Sequence, residues 1–557
     1  MKKFKFYTKL IWGLILSLGM LYSCDKKAPL EPSNPVLEIP FENVSGVVTV
    51  DLKKTYDVVV YGGTSAAIIA AMEVVNSGKS VILINPPGGG LGGMSTNGLG
   101  CTDVLHPEIL GGLTRQFYQD IKIYYSDPLN WFQGSAANFA RYTINGDIML
   151  WFEPKAAKSV FKGYIEKLKI PILHGQRLNL NKLIQKNSDN AIVFLEMESG
   201  LKVNGKMFID ASYEGDIMAK SGVKYTVGRE SNSLYGEYSN GIQRIGNWSR
   251  NEMPDNINTN SNKIQKSLSK NGTGDSKIQA YCFRMCLTNI PYNRIPIEKP
   301  VGYDEKEYEL LFEYLKVYKD VPFFDLNLMP NGKTDSNNSG PFSTDYVGEN
   351  YNYPEASHVE RENIVDKHKR YQMGLLWTLA NHPNVPEYLR LKYSEWGLPK
   401  DEFLNNNHWP KQLYIREGRR MVSDYIMTEL NCVGRRTSQQ SIGRADYPMD
   451  SHIVQRYYDE KGFVKNEGQL MVGVKNPYPI DYRSIIPSKK DCTNLFVPIC
   501  LSASHIAYGS IRMEPVFMNL GQSSAVAAIL AINKRLDVQS VNYEELASEL
   551  LKRRIVL

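Results

Sequence analysis

Apolar positions along this chain fall into a few sharply bounded runs, and one near the start sets the expected fold. Val58 to Tyr61 is a continuous apolar run of strand length that ends in Gly62 and Gly63. Small and apolar residues follow from Ser65 onward. Gly78 then stands where a helix C-cap glycine belongs, and a second apolar run spans Val81 to Ile84. Strand, helix and strand in that order, with neither strand showing a polar face, predict a parallel βαβ unit. Leu495 to Pro498 reads as another strand, and beyond Gly521 the run SSAVAAILAI predicts a closely packed helix. Between Gly175 and Gly205 short strands and turns predict a meander before a strand at Phe208. In the middle of the chain Ile364, His368, Tyr371, Leu375 and Leu379 recur at helical spacing. His368 on that apolar face is expected to be packed and hydrogen-bonded rather than a ligand. No repeat at solenoid or propeller spacing is visible.

The turn after the first strand has a chemical use. A diphosphate can approach free backbone N–H groups at the positive end of a helix only where side chains are small. In the G-x-G-x-x-G spacing the first glycine is Gly62, while Thr64 and Ala67 hold the second and third positions. The acidic residue that ordinarily binds the adenosine ribose is replaced by Asn85, which keeps hydrogen bonding and loses charge. Alone, this segment is either a nucleotide cradle or a close-packed βαβ unit without nucleotide. LGGMSTNGLG, residues 91–100, adds a second glycine-dense loop that dehydrogenases binding only nicotinamide do not need.

These residues resemble the bacterial FAD-dependent oxidoreductase family that opens with DVVVYGG and continues into LGGM. MFIDASYEGDIMAKSGV, residues 207–223, is similar to that family's later cofactor-contacting strand and turn. NLFVPICLSASHIAYGSIRMEPVFMNLGQSSAVAAILAI, residues 494–532, is similar to its C-terminal flavin motif. The likeness runs from about Tyr56 to the C-terminus. It implies an α/β fold: a Rossmann-like FAD-binding domain of the two-dinucleotide flavoprotein type, split in sequence, with an inserted α+β substrate domain. The implied boundaries are 47–224 and 488–557 for the two parts of the FAD domain and 225–487 for the insertion. The cofactor-contacting residues it implies are Gly62, Gly63, Thr64, Ser65, Ala66, Asn85, Gly92, Gly93, Met94, Asp210, Ala211, Gly521 and Gln522. Some exported lipoprotein members carry the label xanthan lyase. The family is distantly similar to the heterodisulfide reductase flavin subunit, whose iron–sulfur clusters need a dense cysteine run that this chain lacks.

At 557 residues, 42% hydrophobic and 22% charged, the chain has the composition of a soluble globular protein with room for two domains. Its N-terminus has lysines followed by an apolar run, Leu10 to Leu21, too short to span a bilayer comfortably, and then Cys24. Residues 1–24 read as a lipoprotein signal with Cys24 as the lipidated residue. The alternatives are an uncleaved anchor or a cleaved soluble secretory signal. The proline-rich polar stretch 25–46 reads as a tether. An exported protein on a bacterial membrane, periplasmic or at the outer surface, is expected. No twin-arginine pair precedes the apolar run, which implies export unfolded and FAD acquired outside. Removing four lysines with the signal takes the net charge from +6 to about +2, which argues against a nucleic-acid partner. Cys282 and Cys286, four apart in a strand-like segment, read as buried thiols, as do the other cysteines beyond Cys24.

Between Tyr225 and Pro487 the composition shifts to tyrosine, asparagine and arginine, and long helices are expected. Such polar aromatics suit a hydroxylated ligand such as a sugar, and equally an ordinary surface. Pro330–Ala356 is long and polar for a connection and reads as an active-site loop or a solvated one. YIREGRRMVSDY reads as a helix placing Arg416 and Arg420 on one face, to bind a carboxylate or to form surface ion pairs. His505 and His452 are the candidate acids or bases, because removing a hydride from an alcohol carbon requires a group to accept the hydroxyl proton, and His505 is the stronger of the two because it lies inside the segment that resembles a flavin-contacting motif. Arg420 and Arg512 are the further catalytic candidates, and Glu514 lies in the same segment as His505 and Arg512. The eight histidines are scattered with no H-x-x-x-H pair, so no metal site is expected. An FAD-dependent oxidoreductase acting on a small carbohydrate-like or carboxylated substrate, with an unassigned electron acceptor, is the leading reading. The alternatives are a polysaccharide lyase using His452 or Tyr457 as base, and a degenerate flavin fold that binds ligand as a lipoprotein.

Overall fold

The run at Val58–Tyr61 lies at the heart of a mostly parallel sheet, as its lack of a polar face requires. The computed structural model describes residues 50–244, 246, 251–259, 263–318 and 322–557. Strand β1 (Thr55–Tyr61) leads into helix α1 (Ser65–Asn76) and strand β2 (Val81–Asn85). Helices α2 (Gly112–Tyr124) and α3 (Pro154–Leu168) precede β3 (Ile172–His174), β4 (Phe194–Glu196) and β5 (Lys202–Asp210). β1 pairs in parallel with β2 on one side and β5 on the other, β2 pairs with β3, and β4 lies antiparallel on β5. The Thr64 hydroxyl caps α1 by accepting the Ala67 N–H at 3.2 Å, and Gly78 follows the helix end at φ +71°.

A second sheet is wholly antiparallel. Its strands are β6 (Met285–Thr288), β7 (Arg294–Pro296), β8 (Phe324–Met329), β9 (Lys333–Asn338) and β10 (Gly397–Pro399), in the order β7-β10-β6-β9-β8. Helix α4 (His358–Asn381) is the expected central helix, opened by a capping box between Ser357 and Glu360. His368 is buried on its inner face, its Nδ1 2.8 Å from the Ile364 carbonyl, and burial pushes it down to about 4. The expectation of several long helices between Tyr225 and Pro487 is corrected. Among the described residues α4 is the single long one, and short strands make up much of the rest.

Near the C-terminus β11 (Leu495–Phe496) joins the first sheet beside β5. Two helices follow, α5 (His505–Ile511) and α6 (Glu514–Lys534). The expected helix start after Gly521 is therefore corrected: α6 begins at Glu514, with Pro515 in its first turn. Gly521 lies inside it at the crossing with α1, where an added Cβ would stand 2.5 Å from the Ala66 carbonyl oxygen. α6 is long and apolar enough by length and composition to cross a membrane, yet it is buried in this core. Residues 1–49, with Cys24 and the tether, lie outside the described residues.

Candidate functional site

The glycine at the end of β1 creates a cradle. Gly62 sits at φ +128°, and a Cβ there would collide with the Ala211 carbonyl at the end of β5. Thr64 spans the same seam, its hydroxyl donating to Ala211 O at 2.8 Å. A cleft of about 620 Å³ opens over this turn, within the size range of small-molecule sites. Gly62, Gly63 and Thr64 form one wall, Gly88–Gly90 a second, and Ser212–Glu214 a third, with Phe283 and Trp409 from the insertion facing them. Asn85 and Arg177 also line the cleft, with the Asn85 amide oxygen lying against Gly63. Asn85 shares a 3.2 Å hydrogen bond with His174 Nδ1, and its Oδ1 is buried without a partner. Burial pushes His174 down to about 4, so the Asn85–His174 pair is neutral at working pH. The features of a dinucleotide site are present: the N-terminus of α1, a wall without side chains, and an unused acceptor where a ribose hydroxyl belongs. The residues fit FAD.

Charged side chains brace the cleft. Arg361 of α4 donates to both oxygens of Asp216 at 2.7 and 2.9 Å, and Arg419 donates to Asp216 at 2.7 Å. Burial alone would raise the Asp216 carboxyl, but the two guanidinium groups outweigh it and hold it at about 2. Asp210, which burial pushes up to about 6, accepts the Ser212 hydroxyl and the Met218 N–H, so it shapes the turn after β5. Gly92 and Gly93 both donate their N–H groups to the Gly63 carbonyl, which seats the glycine loop on the β1 turn. Two expected cofactor residues play packing roles. Ala66 lies under Gly521, and Gln522 bonds the Leu113 N–H and Glu73. Ser65 donates to Glu514 rather than facing the cleft.

The catalytic candidates separate into two networks. The expected helix through Arg416 and Arg420 is corrected: this segment is irregular, and Arg420–Met421 pairs as a short strand with Tyr225–Thr226. The two arginines therefore do not share a helix face. Arg420 is saturated by Glu417, Glu230 and the carbonyls of Ala503 and Gly228. His505 belongs to the same network: Nδ1 lies 2.7 Å from Glu417 Oε2 and Nε2 3.3 Å from the Ser451 hydroxyl. The series Ser451–His505–Glu417 follows the nucleophile–base–orienter order of a hydrolytic triad. All three side chains are sealed, at 1, 2 and 0% exposure, so the series holds structure together.

The second network centres on His452 and is buried as well, with Asp345 at 0% and His452 at 6% exposure. His452 Nδ1 lies 2.8 Å from Asp345, and Nε2 lies 3.2 Å from Asp450, whose Oδ2 also accepts Arg512 at 2.9 Å. Each ring nitrogen therefore faces a carboxylate oxygen. Burial would raise Asp450, but His452, Arg512 and Arg416 outweigh it and hold it at about 2; Asp345 is lowered against burial by Arg416 and His452. Arg416 lies 3.3 Å from Asp345 and within reach of Cys282 and Asn338, yet its Nε and Nη1 are buried without hydrogen-bond partners. Arg416 and Arg512 both lie against the Tyr414 ring, at 4.7 and 5.5 Å.

Pro330–Ala356 supplies Asp345 and Asn338 to this network. It is neither a free loop nor a solvated one, since it contains β9 and most of its polar side chains are buried. Sequence reasoning missed Asp345, Asp450, Tyr414 and Arg361. Asp345 lies in a segment already suspect for its polarity, and Asp450 stands two residues before the candidate His452, which was the available signal. The six cysteines of the described residues are free thiols, five of them buried. Glu153, Asp401 and Glu402 converge closely enough to hold a cation, but the Lys333 ammonium occupies their centre at 2.8, 2.7 and 2.7 Å.

A family described as FAD dependent oxidoreductase matches residues 57–550. Among solved structures, the chain is similar to an L-amino acid deaminase from Proteus vulgaris at 15% identity, covering 34% of this chain and 54% of that one, with a TM-score of 0.22. It is similar to an L-proline dehydrogenase from P.horikoshii at 13% identity, covering 32% and 58%, with a TM-score of 0.22. A third is the OxyS anhydrotetracycline hydroxylase from Streptomyces rimosus, at 12% identity, covering 31% and 35%, with a TM-score of 0.23. The matched part spans less than two thirds of each of these chains. No curated protein matches.

Proposed function

The chain belongs to the FAD dependent oxidoreductase family, and from that premise we propose that it oxidises or reduces a small carboxylated or carbohydrate-like molecule beside the Asp345–His452–Asp450 network. It is an enzyme with FAD as cofactor and a small molecule as substrate. One observation carries the finer reading: a buried guanidinium, Arg416, has two nitrogens without acceptors, and Arg512 beside it has a third, its Nε. An unmet buried donor is costly, and oxygen atoms of a carboxylate or a hydroxyl are what would satisfy it.

Bound FAD supplies two-electron hydride chemistry. The protein's share is to hold the substrate and move the proton. Arg416 and Arg512, laid against Tyr414, orient the oxygen-bearing end. For alcohol oxidation, hydride leaves the carbon, the hydroxyl proton passes to singly protonated His452, and the carbonyl forms; reduction reverses each transfer, with the doubly protonated imidazole as the proton donor. Arg512 stands two residues before Glu514, so the network and the cofactor loops meet on one turn. His505, sealed behind Ser451, positions the segment that carries His452 rather than touching substrate.

The test is anaerobic bleaching of the bound flavin by a panel of aldoses, uronic acids and 2-hydroxy acids. At least one acid or sugar is expected to bleach it, and His452→Gln to keep FAD while slowing bleaching by about 10²- to 10⁴-fold. Release of unsaturated sugars without bleaching would favour a lyase and contradict the proposal.

The reading also includes export and lipid attachment at Cys24, supported by the lysine-led apolar run that precedes it. Metabolic labelling with a radioactive fatty acid should mark the wild type and leave Cys24→Ala unlabelled. Equal labelling of both would place the anchor elsewhere.

A further inference from the structure

Glu514, the first residue of α6, has its carboxyl buried at a junction of three loops that are distant in sequence. Ser65 of α1 donates to Oε2 at 2.5 Å, and Ser95 of the glycine loop reaches the same oxygen at 3.4 Å. Tyr213, in the turn after β5, donates to Oε1 at 2.5 Å. The same Tyr213 hydroxyl accepts the Met94 N–H at 3.0 Å, so the glycine loop is tied twice. Gly93 makes this approach possible. Its backbone is at φ +55°, and a Cβ there would collide with the Tyr213 hydroxyl and crowd the Thr64 Cα.

These loops are the walls of the dinucleotide cleft or continue directly into them: Gly62–Thr64 before Ser65, Gly88–Gly90 before Met94, and Ser212–Glu214 around Tyr213. The glutamate sits at the positive end of α6, which favours a carboxylate there, while burial acts against its charge. Apolar packing would join three loops just as firmly. Hydrogen bonds to a carboxyl add direction, fixing each loop's angle as well as its distance.

We infer that Glu514 is a positioning residue for the flavin cofactor, clamping the three loops through Ser65, Ser95 and Tyr213 so that the cleft keeps the shape of its ligand. The inference rests on FAD occupying that cleft. Glu514 is assigned no contact with FAD; it acts through the loops. A purely structural role would change the stability of the apoprotein and leave cofactor affinity alone. A positioning role moves affinity and the environment of the ring.

The test titrates apoprotein with FAD, following quenching of flavin fluorescence and the vibronic shape of the bound-flavin band, alongside apoprotein melting. Glu514→Ala is expected to weaken FAD binding by about 10-fold or more, as for loss of buried hydrogen bonds, and to blur the band. Glu514→Gln keeps an oxygen for Tyr213 and turns its amide toward Ser65, so it should stay within about threefold of wild type. Tyr213→Phe removes the shared hydroxyl, gives the same direction of change, and serves if Glu514→Ala does not fold. Wild-type affinity and band shape in a folded Glu514→Ala or Tyr213→Phe variant, with only the melting lowered, would overturn the inference. No FAD uptake by the wild type would overturn the cofactor reading itself, a result distinct from a failure confined to the variants.

Discussion

Asp216 shows how a single residue couples the cleft to the stability of the molecule. Its carboxyl is held at about 2 against an ordinary 3.8 because Arg361 and Arg419 outweigh the cost of burial. A carboxyl that ionises more readily when folded stabilises the fold above its unfolded value. That contribution is complete above about pH 4 and drains away as pH falls toward 2. The shift corresponds to about 2 kcal/mol at neutral pH. Asp216→Asn leaves two buried guanidinium groups short of a partner and is expected to cost about 3–5 kcal/mol at pH 7. Its melting temperature should also fall less steeply than wild type between pH 4 and 2. Parallel acid limbs for the two proteins, read by circular dichroism melting, would contradict this account. Other residues at this scale were only half legible. Arg416 and Arg420 look alike in the sequence, but only the folded chain shows that Arg420 is saturated and Arg416 is not. His505 and His452 differ in the same way: the partners that separate them, Glu417 and Asp345, are 88 and 107 residues away.

At the scale of elements, what could be read was what local pattern determines. β1, α1, β2 and the Gly78 end of α1 are all present, because apolar continuity and a left-handed glycine act within a few residues. α4 is present because its core face repeats at helical spacing over 16 residues, from Ile364 to Leu379. The errors came where long-range packing overrules local preference. Arg416–Arg420 has helix-compatible composition, yet Met421 is drawn into pairing with Tyr225. The start of α6 was placed at a glycine expected to contact flavin, whereas Gly521 answers to a helix crossing seven residues further along. β9 was hidden by its polar composition, because burial of Thr334, Asp335 and Ser336 makes sense only once Arg284 and neighbouring groups are seen to meet them.

For the molecule as a whole, three segments distant in sequence converge on one cleft. The turn at Gly62, the glycine loop at Gly92 and the turn at Asp210 are brought together by the sheet order β11-β5-β1-β2-β3 and closed by the N-terminus of α6. Resemblance in the sequence pointed to those segments and to the stretch that holds Glu514, but not to the contacts by which that carboxyl joins them. The substitutions at Thr64, Ala67 and Asn85 leave the cradle standing. Thr64 caps α1 and bridges to β5, Ala67 is buried in α1, and Asn85 keeps an acceptor at the ribose end. FAD is accordingly expected to bind despite the departure from the usual glycine pattern. The direct measurement is the visible absorbance of purified protein mixed with FAD and then desalted, beside a Gly62→Val control. The prediction is a retained flavin band at about one FAD per chain in the wild type, and its loss in Gly62→Val, whose side chain would meet the Ala211 carbonyl. No retained flavin in the wild type, or equal retention in a folded Gly62→Val protein, would contradict it.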